Sequence, residues 1–252
     1  MQGTRIAIIG AALWALLAAP LEAALILSGT IGGVNICATD QNVVCTFGTQ
    51  LPDTNATPGL LGLGTTTTPI LVGGLEIFGS LQEQTIGPPL NVLSSSSLSV
   101  TNATGAAVSG SLAVGATGYR PPALVAFATG SGVWQGAAGS TLTMTWYNDP
   151  TNTQGADTPD DRPGLLLATF TDTATGPVDS FATGTLGPFA VNDPALFAMT
   201  QAVDFTLTAG GVLLNRGQSE VKPVDVGQAI VPEPATIVLV GAGLLALTRR
   251  RR

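Results

Sequence analysis

The sequence predicts an all-β fold: an antiparallel two-sheet sandwich, jelly-roll-like, with one helical apolar segment at each end. Three observations predict it. Gly 32 and Pro 17 among 252 residues, with abundant Ser and Thr, favour turns and strands over long helices. Between residues 24 and 230 no long stretch repeats its apolar residues at helical spacing between caps. Several short stretches instead alternate apolar and polar residues. This is the mark of a half-buried strand, whose successive side chains point to opposite faces.

Taken in order, the first expected strands are Ala24–Ser28, Val34–Ala38 and Val43–Phe47, with Gly32-Gly33 as a turn between the first two. Gln50–Pro69, rich in Gly, Pro and Thr, reads as a loop. In SLSVT, Leu98 and Val100 alternate with Ser97, Ser99 and Thr101, and Ala106–Val114 and Leu124–Ala128 follow. In TLTMTWY, Leu142, Met144 and Trp146 share one face and Thr141, Thr143, Thr145 and Tyr147 the other. Leu165–Thr171 and Phe181–Thr185 come next. The last is VDFTLT, where Val203, Phe205 and Leu207 alternate with polar neighbours before Ala209-Gly210-Gly211. About ten short strands without helices between them can bury facing apolar rows from two sheets. The echoes FATGSG (127–132) and FATGTLG (181–187) are too brief to establish a repeat.

Charge narrows the function classes. Charged residues are 10% of the chain, against roughly 25% in an ordinary soluble domain. Between Ala24 and Val231 four basic residues (Arg120, Arg162, Arg216, Lys222) face fourteen acidic ones. That balance excludes nucleic acid as a partner, since phosphate binding needs a basic footprint. With His 0, the commonest general base and transition-metal ligand are missing, and Ser-His-Asp or Cys-His catalysis is excluded. Glu76, Glu83 and Glu220 sit far apart in no glycosidase-like pattern, and the Gly-rich stretches lack a phosphate-loop lysine. The expectation is therefore a protein that is not an enzyme and holds no obligatory cofactor.

The ends carry the clearest signals. Arg5, the apolar run Ile6–Ala19 and the small residues Ala18, Ala19, Ala23 and Ala24 have the layout of a secretory signal peptide. Pro20 disfavours cleavage after Ala19, so cleavage after Ala23 is expected. At the other end, VPEPATIVLVGAGLLALTRRRR (231–252) begins with two prolines that neither a helix nor a central strand can continue through. Ala235–Thr248 is an apolar run that spans about 21 Å as a helix, short of a ~30 Å hydrocarbon core. Snorkelling arginine stems cover part of that gap. Arg249, Arg250, Arg251 and Arg252 then fix the C-terminus on the cytoplasmic side, leaving the body outside.

Tripeptide, short apolar helix and terminal arginines, in that order and paired with a signal peptide, resemble the PEP-CTERM sorting signal of Gram-negative bacteria. The resemblance covers about 22 residues. It implies recognition of Pro232, Glu233 and Pro234 by exosortase, a membrane-embedded cysteine transpeptidase, with the tail held in the inner membrane until cut. A plain tail anchor without processing is the competing account. The implied organisation is signal peptide 1–23, extracellular all-β domain 24–217, polar linker 218–230 and sorting signal 231–252. The implied function is that of an exported surface, extracellular-matrix or biofilm protein whose partners are exosortase and extracellular polysaccharide. A carbohydrate-binding or calcium-dependent adhesion module with the same tail is the alternative.

Three body features invite a chemical reading. Cys37 and Cys45, the only cysteines, flank a seven-residue loop and in an oxidising exported setting are expected to form one disulfide across a hairpin. The acidic stretch NDPTNTQGADTPDDRPG (148–164) brings Asp149, Asp157, Asp160 and Asp161 as candidate calcium ligands. It matches no EF-hand, and a solvated loop with Asp-capped turns is the plainer account. Trp134 and Tyr147 are candidates for stacking on a sugar, against the ordinary role of Trp134 and Trp146 in a core. Asn55-Ala56-Thr57 and Asn102-Ala103-Thr104 formally fit the glycosylation sequon.

Overall fold

The computed structural model describes residues 25–86 and 90–223. The signal segment, the sorting tripeptide, the apolar tail and the four arginines lie outside the described residues. The strands are β1 (Ile26–Ile31), β2 (Val34–Thr39), β3 (Thr49–Gln50), β4 (Leu60–Leu63), β5 (Ile70–Val72), β6 (Leu75–Ile86) and β7 (Leu90–Asn102). They continue with β8 (Val108–Tyr119), β9 (Ala123–Gln135), β10 (Thr141–Asp149), β11 (Leu165–Thr173), β12 (Val178–Asp193), β13 (Phe197–Leu207) and β14 (Val212–Lys222). Among the described residues the helical content is one 3-10 turn, Asp40–Asn42, and no helix is long and apolar enough to cross a membrane.

The strands form two sheets. Sheet A runs β11-β10-β13-β8-β1-β2-β3, and sheet B runs β12-β9-β14-β7-β6-β4 with β5 also on β6. Every pairing is antiparallel except β2 with β3. From β7 onward the chain changes sheet at each connection except β10 to β11, as in a jelly roll. The predicted antiparallel sandwich is the observed fold.

The core lies where the alternation placed it. Leu142, Met144 and Trp146 of β10 are buried, as are Val203, Phe205 and Leu207 of β13 and Leu98 and Val100 of β7. Trp146 and Trp134 are both fully buried, and Trp134 Nε1 reaches across the sandwich to donate to Asp172 Oδ2 at 2.7 Å. Burial of both tryptophans rules out their use as sugar-stacking platforms. Strand glycines let the sheets approach closely. A Cβ on Gly130 of sheet B would fall 2.8 Å from Met144 Sδ and 3.1 Å from Trp146 Cζ2 of sheet A. The glycine content thus has a packing role as well as a turn role.

Four expectations need correction. Val43–Phe47 is not a strand: Val43 and Val44 are 65% and 81% exposed and lie in a loop. Leu60–Leu63, inside the expected Gln50–Pro69 loop, pairs as β4 with β6. β14 continues to Lys222, so residues 218–222 belong to sheet B and not to the linker. The strands are also longer than the short runs suggested: β12 extends over 16 residues, well beyond Phe181–Thr185. It is an edge strand with three register shifts, and Gly184, Gly187 and Pro188 sit at the irregularities, where a sheet accepts such residues.

Candidate functional site

The acidic segment after β10 folds as a strap over the outer face of sheet A. Asp149 starts it: its carboxylate accepts from Thr151 N (3.0 Å), Thr151 Oγ1 (2.8 Å) and Thr153 N (2.9 Å), an Asx-type turn. Burial alone would raise the Asp149 pKa, but these bonds from Thr151 and Thr153 outweigh it and hold the group below its ordinary value. Asn152, at φ 56°, places its Oδ1 2.7 Å from Gly118 N. Ala156 is fully buried against Ala113 and Ala202. Gly155 approaches so closely that a Cβ there would meet Thr200 Oγ1 at 2.1 Å.

Arg162 closes the strap. Its Nη2 donates to Asp204 Oδ1 at 2.8 Å and its Nη1 to Asp204 Oδ2 at 3.2 Å, while Nη2 also reaches Ser111 Oγ at 3.3 Å. The small side chains Ala113, Ala202, Gly115 and Thr200 on the outer face of sheet A are explained by this cover.

The four predicted calcium ligands are not brought together. Asp149 is committed to its turn. Asp157 lies beside Asp161, whose Oδ2 accepts from Asp157 N at 3.4 Å; burial, then the Asp161 charge, raise the Asp157 pKa. Asp160 is exposed. Among the described residues no three acidic, histidine or cysteine side chains are grouped to hold a metal.

Cys37 and Cys45 form the expected disulfide, with S–S 2.13 Å and Cα–Cα 6.1 Å. It ties strand β2 to a loop and not to a second hairpin strand. That loop is organised by two acids that sequence reading passed over. Asp53 accepts from Gln41 N (3.1 Å), Asn55 N (2.8 Å) and Gly62 N (2.9 Å), and Asp40 Oδ2 accepts from Gly59 N (2.8 Å). Between the disulfide loop and the strap lies a hollow of about 260 Å³ lined by Leu25, Ile26, Thr39, Val43, Val44 and Asp157. Asp40, Gln41 and Thr46 line it as well, so two acidic residues, Asp40 and Asp157, stand among its apolar walls.

Two further buried polar groups meet at one end of the sandwich. Asn148 Nδ2 donates to Asp193 Oδ2 at 3.0 Å, joining β10 of sheet A to β12 of sheet B. Burial raises the Asp193 pKa, the Asn148 bond opposes this, and the Asp149 charge adds to the rise. Of the two sequon asparagines, Asn102 is buried, and its Nδ2 donates to the carbonyls of Ala106, Leu207 and Thr208. It is a structural tie between strand ends.

Fold and surface define a β-sandwich protein with a disulfide-tied loop and an acidic strap on one face. Its C-terminus places it more narrowly: residues 231–252 match the PEP-CTERM protein-sorting motif, and the chain carries that motif as the sequence indicated. No curated protein matches the chain in sequence. Among solved structures it is similar to TmCBM61 in complex with β-1,4-galactotriose, at 12% identity and TM-score 0.25, over 53% of this chain and 86% of that one. It is also similar to the C-terminal CBM6 of LamC, a marine laminarinase from Zobellia galactanivorans, at 8% and 0.24, over 63% and 98%. A third is the enzymatically active domain of bacteriophage CBA120 tailspike protein 4, at 10% and 0.27, over 59% and 19%. At these scores the likenesses bear on neither ligand nor activity, and the sandwich rests on the strand pairings described above.

Proposed function

We propose that this is an exported, non-enzymatic surface or matrix protein, held in the inner membrane by its C-terminal tail and released or transferred by an exosortase-type transpeptidase. The observation that carries the reading is the sorting motif at 231–252. The physics of the tail supports it in two separable parts. Four guanidinium groups are costly to draw through hydrocarbon, so Arg249–Arg252 retain the chain and set its direction. Pro232-Glu233-Pro234 adds little to membrane affinity and is the part an enzyme reads.

The body suits the setting outside. It is an acidic, Lys-poor sandwich whose one disulfide requires an oxidising compartment to persist. The reading is tested by replacing Pro232, Glu233 and Pro234 with alanine in the native host. Export and membrane attachment continue while tail removal stops; cutting at the wild-type rate would contradict the proposal in favour of a simple anchor. Changing Arg249–Arg252 to serine has the opposite signature, weakened retention with unprocessed chain escaping.

A further inference from the structure

The outer face of sheet B carries a feature that neither the tail nor the strap explains. In sheet B the neighbours are β12, β9, β14 and β7, and Arg216 of β14 sits directly opposite Ser131 of β9. On the other side of β14 the register breaks. Asn215 pairs with Leu98 and Gly217 with Ser95, so Arg216 alone faces two residues of β7, Ser96 and Ser97. Strand β6 sees the same extra residue, since Ser80 pairs with Ser97 and Leu81 with Ser95.

A second break flanks the pair on the far side. Ala182 pairs with Ser131 and Thr185 with Thr129, leaving Thr183 and Gly184 opposite Gly130. There Gly130 N donates to Thr183 Oγ1 at 2.9 Å. Bulges bend their strands and re-aim side chains. Here one lies on each side of the β14–β9 pair, and a hollow of about 390 Å³ opens between them, lined by Ser94, Thr129, Ser131, Gly184, Thr185 and Arg216. A second hollow of about 400 Å³ continues past Arg216 and Ser131 to Phe78, Ser99 and Leu214. The two FATG echoes thus meet antiparallel, and their small and hydroxylated residues form one wall.

Charge makes the face selective. Arg162 is paired with Asp204 at 2.8 Å and Lys222 with Glu220 at 2.7 Å. Arg216 makes no hydrogen bond or ion pair among the described residues, and it stands at the junction of both hollows. A guanidinium fork matches a carboxylate in geometry and charge, and serine and threonine hydroxyls exchange hydrogen bonds with sugar hydroxyls. We propose that this face binds an acidic polysaccharide, with a sugar carboxylate on Arg216 and the chain running through the two hollows. The proposal rests on the export reading only because such polymers lie outside the cell; binding by purified protein does not depend on whether the tail is cut.

The test uses the full chain, purified in a mild non-ionic detergent, titrated calorimetrically with polygalacturonate at low ionic strength and with neutral dextran as the comparison. Polygalacturonate binds and dextran does not. Arg216→Gln weakens binding at least tenfold, Arg216→Lys recovers part of it, and Ser131→Trp, which fills the hollow, abolishes it. Arg120→Gln removes another exposed arginine, away from the hollows, and leaves binding unchanged. Unchanged melting temperatures separate these effects from misfolding. Absence of polygalacturonate binding, equal binding of dextran, or equal loss in Arg120→Gln and Arg216→Gln each overturns the proposal. A tail that escapes cutting in the native host, with binding intact, would defeat the processing reading alone.

Discussion

Arg162 and Asp204 meet as a two-point fork, Nη2 to Oδ1 at 2.8 Å and Nη1 to Oδ2 at 3.2 Å, and this contact pins the acidic strap to sheet A. The pair is partly exposed, with side-chain exposures of 17% and 42%, so solvent screens it. Arg162→Ala is therefore expected to lower stability by only about 1 kcal/mol, and to act mainly on the strap. Limited proteolysis checks this: cuts within residues 150–164 appear in the variant before the sandwich itself is attacked. Simultaneous loss of strap and sandwich would show the strap to be integral to the core.

A close approach of the two sheets is tested at Gly130. A Cβ there would overlap Met144 Sδ at 2.8 Å and Cε at 2.9 Å, so Gly130→Ala should cost about 1–3 kcal/mol by overpacking. Met144→Val in the same chain shortens the opposing side chain and should recover part of that loss. Denaturant unfolding of both single variants and the double variant reads the coupling. Strictly additive losses would mean that the two residues do not press on each other.

Much of this packing was legible in the sequence, and the reasons for success and failure are local. β10 was readable because Leu142, Met144 and Trp146 all serve one core face and threonines occupy the other. β12 was not. It is an edge strand whose exposed residues and whose Gly184 and Gly187-Pro188 look like turn signals, because sheet irregularities and turns use the same residues. Val43–Phe47 misled in the opposite direction. Its apolar residues suggested a strand, but the disulfide and the carboxylates of Asp40 and Asp53 fix the surrounding chain as a loop. The disulfide was predicted from compartment and spacing, and it formed despite the wrong strand. Arg216 gave no signal, since a lone arginine in a strand reads as a solvated side chain until the bulges beside it are known.

Asp193 should leave a mark on the pH dependence of stability. Burial, opposed by Asn148 and reinforced by Asp149, sets its folded-state pKa above the ordinary carboxylate value. Its protonated form therefore favours folding. That contribution is fully present below the ordinary value and is lost as pH rises through the raised folded one. Asp193→Asn removes this term while retaining a polar side chain beside Asn148. Urea unfolding across the acidic range should show the wild type losing stability relative to the variant as pH rises. A constant difference between the two would contradict the assignment.

The Cys37–Cys45 bond closes a short loop, with a sequence separation of 8. Constraint of the unfolded chain by a loop of that size is worth about 2–3 kcal/mol. Reduction, or a Cys37→Ala, Cys45→Ala double variant, should lower the melting temperature by roughly 4–12 °C for a domain of this size. Calorimetry with and without reductant measures it, and an unchanged transition would show that Asp40 and Asp53 hold the loop without the disulfide.

The central claim, export followed by cutting at the sorting motif, is tested most directly by the intact mass of the form recovered from the native cell surface. The account predicts a chain that lacks residues 1–23 and ends close to Pro232-Glu233-Pro234, with any transferred group visible as added mass. A surface form that still carries the apolar run and Arg249–Arg252 would contradict it, and would make the tail a membrane anchor and nothing more.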